Sequence, residues 1–123
     1  MPDCKLLIID DDQDIRESLG ELMRQEGFEV FLSRSGFAAL TDLTYGRVQP
    51  HVILVDLWMP SMSGDQFLAV MRRHPHWSRI PVIICSAGDV PEEISAGAFG
   101  VVQKPFDFDQ LIGLVHEACS SAS

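Results

Sequence analysis

The chain has no apolar run approaching the roughly 18 residues that a membrane-spanning helix needs, so no crossing segment and no membrane partner are expected. It also lacks the pattern of a secretory leader. Met1-Pro2-Asp3-Cys4-Lys5 is followed by only four apolar residues, Leu6 to Ile9, before three aspartates, and the cytoplasm is the expected location. Basic residues are few: Lys and Arg total 9 against 18 Asp and Glu, a net charge of −9. Phosphate backbones need a basic footprint, which argues against direct binding of nucleic acid. Cysteine is sparse as well. Cys4, Cys85 and Cys119 are odd in number, far apart and form no C-x-x-C pair. That pattern argues against a disulfide framework or a zinc site, and all three are expected as reduced thiols, with Cys85 in the core. Nor is there a repeat, a low-complexity stretch or a linker. With 123 residues and 46% hydrophobic content, the chain is long enough for one domain with one core and too apolar for disorder.

What is present is an alternation of short apolar runs with segments of helical period, the mark of an α/β domain whose parallel sheet carries helices on its faces. Leu6 to Ile9 is the first run. Ile15, Leu19, Leu22 and Met23 then recur at helical spacing, and Gly27 is placed to end that helix. Phe28 to Leu32 reads as a second strand, and Phe37, Leu40 and Leu43 as a short second helix. Val52 to Val55 is continuously apolar, as in a central strand buried on both sides. Phe67, Leu68, Val70 and Met71 mark a third helix that stops before Pro75. Pro81 to Cys85 is a fourth strand, and Val101-Val102 lies in a fifth. Asp107 and Gln110 form a capping box for a last helix with Phe108, Leu111, Leu114 and Val115 on its buried stripe.

Function is expected at the strand ends, because open parallel sheets bind ligands outside their carboxyl edge. Asp10-Asp11-Asp12 follows the first strand directly. Asp56 ends the third, Ser86 the fourth, and Lys104-Pro105 the fifth. Separately placed polar groups therefore converge on one edge. Three close carboxylates repel, since two unit charges ~5 Å apart cost roughly 3 kcal/mol at an effective dielectric near 20. A hard dication with oxygen ligands relieves that repulsion, and magnesium characteristically takes one or two carboxylates together with phosphate oxygens. A carboxylate is also a competent nucleophile for making an aspartyl phosphate. Alone, aspartates past a strand only cap helices, and Asp12 and Asp14 carry that reading. His74 and His76 flank Pro75 in what reads as a solvated loop.

The segments I-I-D-D-D-Q-D-I-R, V-D-L-W-M-P-S-M-S-G, I-I-C-S-A and K-P-F, each at a strand end and in this order, resemble the motifs of response-regulator receiver domains, the chemotaxis regulator among them. The resemblance runs from Lys5 to about Ala118, so residues 1–123 are expected to form one receiver domain with no output domain attached, as a stand-alone regulator or a piece of a larger protein. It implies a doubly wound, five-stranded parallel sheet of flavodoxin-like strand order 2-1-3-4-5. It also implies that Asp56 accepts the phosphoryl group, that Asp10, Asp11, Asp56 and the backbone carbonyl of Trp58 hold Mg2+, and that Ser86 and Lys104 contact the phosphoryl group and throw the switch. The donor would be a sensor histidine kinase or a histidine phosphotransfer protein, and the output a downstream target or a fused output domain. A homodimer through the face of the fourth helix, fifth strand and fifth helix belongs to the same expectation. Such a domain assists its own phosphorylation and dephosphorylation and is not otherwise an enzyme.

Three rivals are separable on single features. A haloacid-dehalogenase phosphatase needs a second Asp two residues after the nucleophile, where this chain has Trp58. A flavodoxin-like cofactor module needs a phosphate-welcoming loop after the first strand, which Asp10-Asp11-Asp12 would repel. A pseudo-receiver binds partners without phosphorylation, whereas all five polar site positions here carry usable chemistry. Two departures from the family bear on the output face. Val101 stands where the fifth strand usually carries a switching aromatic, with Phe99 two residues earlier. From Ser86 to Lys104 the chain is about one helical turn shorter than usual, so a shortened fourth helix is expected, weakened further by Gly88, Pro91 and Gly97.

Overall fold

The computed structural model describes residues 4–121. Its elements alternate strictly: β1 (Lys5–Ile9), α1 (Gln13–Gln25), β2 (Glu29–Ser33), α2 (Gly36–Thr44), β3 (Val52–Asp56), α3 (Gly64–Arg73), β4 (Val82–Ser86), α4 (Glu92–Ser95), β5 (Gly100–Gln103) and α5 (Phe108–Ser121). All strand pairs are parallel and the order is β2-β1-β3-β4-β5, as expected. Among the described residues no helix is long and apolar enough to cross a membrane.

The apolar runs become central strands because successive side chains point to opposite faces, and each face finds a helix layer. Leu7, Ile9, Ile53, Val55, Val82 and Ile84 pack with Ala39 and Leu43 of α2 and with Phe67, Leu68 and Met71 of α3. On the other face Leu6, Ile8, Val52, Leu54, Ile83 and Cys85 pack with Leu19 and Met23 of α1 and with Leu111, Val115 and Ala118 of α5. Complete burial of Phe67 alone contributes up to about 3 kcal/mol.

Local rules set the boundaries. Gly27 adopts φ +96°, its N–H donates to the Arg24 carbonyl, and the Phe28 N–H donates to that of Met23. This Schellman ending closes α1. It also takes the N–H of Phe28 away from the sheet, so β2 begins at Glu29, one residue later than the apolar pattern suggested. Pro81 has no N–H to donate, and β4 accordingly starts at Val82, although the Pro81 carbonyl still accepts from Ile53. The fourth helix is a single turn.

The second helix lies where expected; it buries Gly36, Ala39 and Leu43 and leaves Phe37 56% exposed. Two expectations need correction. Phe108 is 51% exposed: it precedes the portion of α5 that packs on the sheet, whose buried stripe is Leu111, Val115 and Ala118. Most consequential, Cys4 and Cys119 form a disulfide, with Cα atoms 6.1 Å apart. The helix α5 runs back over the sheet from its carboxyl edge, on the face it shares with α1, so its last turn returns to the place where β1 begins. A sequence separation of 115 residues concealed that contact. Cys85 is free and buried in β4, as expected.

Candidate functional site

At the carboxyl edge of the sheet the strand-end residues meet. Carboxylate oxygens of Asp10, Asp11 and Asp56 all lie within 4.8 Å of one another. Asp10 and Asp56 are buried, whereas Asp11 is exposed. The Lys104 ammonium reaches into this group from the end of β5, with Nζ 3.2 Å from Asp10 Oδ2 and 3.3 Å from Asp56 Oδ1. One cation therefore bridges two carboxylates.

The turn after β1 is tied down at every available atom of Asp10. Its N–H donates to the Ser33 carbonyl (3.2 Å), and its Oδ1 accepts from the Asp12 N–H (2.9 Å). Its backbone carbonyl accepts from Arg16 Nη1 at 2.8 Å. Asp12 turns away from the cluster to cap α1, accepting the Ile15 N–H, as its capping reading anticipated. Asp11 is left facing solvent.

Asp56 is set by its strand and by the tight loop that follows. The Leu57 N–H donates to the Cys85 carbonyl, and the Gly64 N–H donates to the Leu57 carbonyl. Between them Ser61 takes a positive φ of 69° while the Met62 N–H donates to the Pro60 carbonyl, which folds the chain back at once. A Cβ on Gly64 would come within 2.7 Å of the Asp56 carbonyl oxygen, so only glycine lets α3 start this close to the strand end. Trp58 projects from the same loop, 65% exposed. Ser86 is fully buried at the end of β4, and its hydroxyl oxygen accepts the Gly88 N–H at 3.2 Å.

Electrostatics follow from this packing. Burial pushes the Asp56 carboxyl above its ordinary range; Lys104 pulls against that, and Asp10 and Asp11 add to it. For Lys104, burial alone would favour the neutral amine, but Asp10 and Asp56 outweigh it and hold the ammonium charged, its pKa raised. The donor set is oxygen-rich and anionic, and it contains no His or thiolate, which suits a hard divalent cation.

The strand-end residues Asp10, Asp11, Asp56, Ser86 and Lys104 thus all lie on this edge, with Asp10, Asp11, Asp56 and Lys104 in one cluster; His74 and His76 follow α3 and stand apart from it. Two residues that shape the cluster were missed in the sequence as contributors. Arg16 stood there only as the last residue of the first motif, and Gly64 only as the last residue of the second.

The chain matches the family described as response regulator receiver domain over residues 6–116. It is similar to the regulatory protein AtoC of Escherichia coli, 36% identical over 118 residues that make up 93% of this chain and 25% of that protein. Against the sporulation initiation phosphotransferase F of Bacillus subtilis it is 33% identical over 110 residues, 87% of this chain and 86% of that one. Among solved structures, the receiver domain of Francisella response regulator 1452 superposes with a TM-score of 0.86 at 27% identity, covering 98% of this chain and all of that one. A parallel sheet with an acidic cluster and a lysine at its carboxyl edge defines a two-component phosphorelay switch module, and this chain belongs to the response-regulator receiver family. It spans about a quarter of the length of AtoC.

Proposed function

We propose that Asp56 is the phosphoacceptor, that Mg2+ is held by Asp10, Asp11, Asp56 and the Trp58 carbonyl, and that the donor is a phosphohistidine on a sensor kinase or phosphotransfer protein. The carrying observation is the pairing of a buried Asp56 carboxylate with Lys104 at 3.3 Å beside two further carboxylates at the sheet edge. Nothing in a structural ion pair requires three carboxylates to share so small a volume.

In this reading an Asp56 oxygen forms the new bond to phosphorus as the bond to the donor's imidazole nitrogen breaks, and the electron pair leaves with the imidazole. When bound, the cation lets an anionic nucleophile meet an anionic phosphoryl group and offsets charge on the transferring oxygens. Lys104 supplies a further positive charge already fixed at the site, so little reorganisation is needed as charge shifts. Ser86 keeps its own hydroxyl proton to donate while accepting from Gly88, and re-aiming it toward a phosphoryl oxygen would tug the loop after β4. Asp11, exposed and free of the restraints on Asp10, is the more direct cation ligand. The output is a change in the surface offered to a downstream target or a fused output domain, and the same α4-β5-α5 face would carry a homodimer.

Intact-mass analysis after incubation with magnesium and acetyl phosphate tests the proposal. One phosphoryl adduct per chain is expected, dependent on the divalent cation and absent in Asp56→Asn. An undiminished adduct on that variant would show that the acceptor is another residue, and a metal-independent adduct would remove the cation from the mechanism. No adduct on wild type would leave the phosphorylation-independent interaction module as the reading.

A further inference from the structure

We propose that Cys4 and Cys119 form a reversible redox modification site, a dithiol that exchanges with small-molecule disulfides of the glutathione class. Their Cα atoms lie 6.1 Å apart, within the range that a disulfide spans without moving the backbone. Both side chains are partly exposed and pack at the margin of the core formed by β1, α1 and α5, so a small reagent can reach them. Cys85, by contrast, is 2% exposed and free. Burial pushes its thiol above the range in which a thiolate forms, so it takes no part in exchange. The chain therefore holds one reactive pair and one inert internal control.

Closing the pair takes two exchange steps. One cysteine thiolate attacks the small disulfide, breaking its sulfur–sulfur bond and releasing one thiol. The second cysteine then attacks the mixed disulfide, forming the Cys4–Cys119 bond and releasing the other thiol. Two electrons pass from the protein pair to the reagent, and the two protons leave on the released thiols. Reduced thiols reverse both steps, and in a reducing compartment such partly exposed bonds are transient and regulatory in character.

The bond sits where it has mechanical consequence. Cys4 immediately precedes β1, and its carbonyl accepts the Glu29 N–H, which ties it to the start of β2 as well. Cys119 lies in the last turn of α5. The bond therefore pins the far end of α5 to the amino edge of the sheet, opposite the edge where Lys104 precedes the same helix. With the bond open, the last turn keeps its own helical hydrogen bonds, and its covalent tie to the sheet is replaced by packing at Ala118, with Val115 one turn earlier.

Wild type, Cys119→Ser and Cys4→Ser are equilibrated in buffers from fully reduced to fully oxidised glutathione, quenched, denatured and alkylated. In wild type the alkylatable thiols should fall from three to one in a single two-electron transition, with no disulfide between chains and the remaining label on Cys85. Neither variant should lose two thiols together. Backbone hydrogen exchange on intact wild type should be faster in the last turn of α5 when reduced, and unchanged in β3 and β4. Three labelled thiols at every ratio, a stable glutathione adduct on one cysteine, or a disulfide-linked dimer would each overturn the site. Identical exchange of the last turn in both redox states would overturn its action on α5.

Discussion

Lys104 bears the most chemistry for one side chain. Its ammonium lies between Asp10 and Asp56, so in the absence of a metal it is the principal charge offsetting two buried carboxylates. Removing it leaves those anions facing one another, which raises the demand for a dication at the same place. Lys104→Ala should therefore retain magnesium binding, yet respond less to a beryllium fluoride mimic of the phosphoryl group, because the link from that group to the β5–α5 loop is gone. Magnesium titration and backbone chemical shifts, with and without the mimic, measure the two effects. Shifts as large as those of wild type would remove the lysine from switching. That Lys104 belonged to the site was legible in the sequence, since it ends a strand on the edge where Asp10, Asp11, Asp56 and Ser86 also stand. Its bridging of Asp10 as well as Asp56 was not legible, because which oxygen an ammonium reaches depends on backbone placement that spacing does not encode. The same holds for Arg16, whose grip on the Asp10 carbonyl passes from a helix back to a strand end.

Elements place those residues, and the tightest placement is that of α3 against β3. Gly64 opens α3 with its Cα so close to the strand end that an added Cβ would stand 2.7 Å from the Asp56 carbonyl oxygen and 2.9 Å from Leu57 Cα. Both atoms belong to backbone and cannot swing aside. Gly64→Ala must separate helix from strand or shift the loop that carries Asp56, and overpacking of this kind costs about 1–3 kcal/mol. The variant should lose that much in urea unfolding with an unchanged slope, and it should bind magnesium more weakly than wild type. Wild-type stability would mean that the helix moves freely and the close approach does not constrain the site. Strands and helices themselves were legible because burial dictates their composition: Val52–Val55 must be apolar throughout, and α1 must alternate at helical period. The misread position is one where periodicity lacks a partner surface. Phe108 fits the stripe of α5 by spacing yet stands before the helix meets the sheet. The Cys4–Cys119 contact eluded any local pattern, since it joins the two ends of the described fold.

For the molecule as a whole, site chemistry and fold stability draw on the same charges. A chain of net charge −9 concentrates three carboxylates at one edge, two of them buried, with a single ammonium among them. A cation that binds this arrangement and not the unfolded chain must stabilise the fold by linkage. At ten times the dissociation constant the gain is about 1.4 kcal/mol. For a domain of this size that corresponds to a rise of roughly 3 to 6 °C in melting temperature. Asp11 separates this from ordinary ionic screening. It is exposed and outside the Lys104 bridge, so Asp11→Ala removes a repulsive neighbour of Asp56 and leaves that bridge intact. The apo variant should melt at or above the wild-type temperature and lose most of the response to magnesium. Were these aspartates only helix caps, the substitution would lower the melting temperature and magnesium would act no differently from sodium. Melting curves of both proteins, in magnesium and in sodium at matched ionic strength, distinguish the two. A wild-type shift no larger in magnesium than in the sodium control would remove the cation site, and the proposed phosphoacceptor mechanism would fall with it.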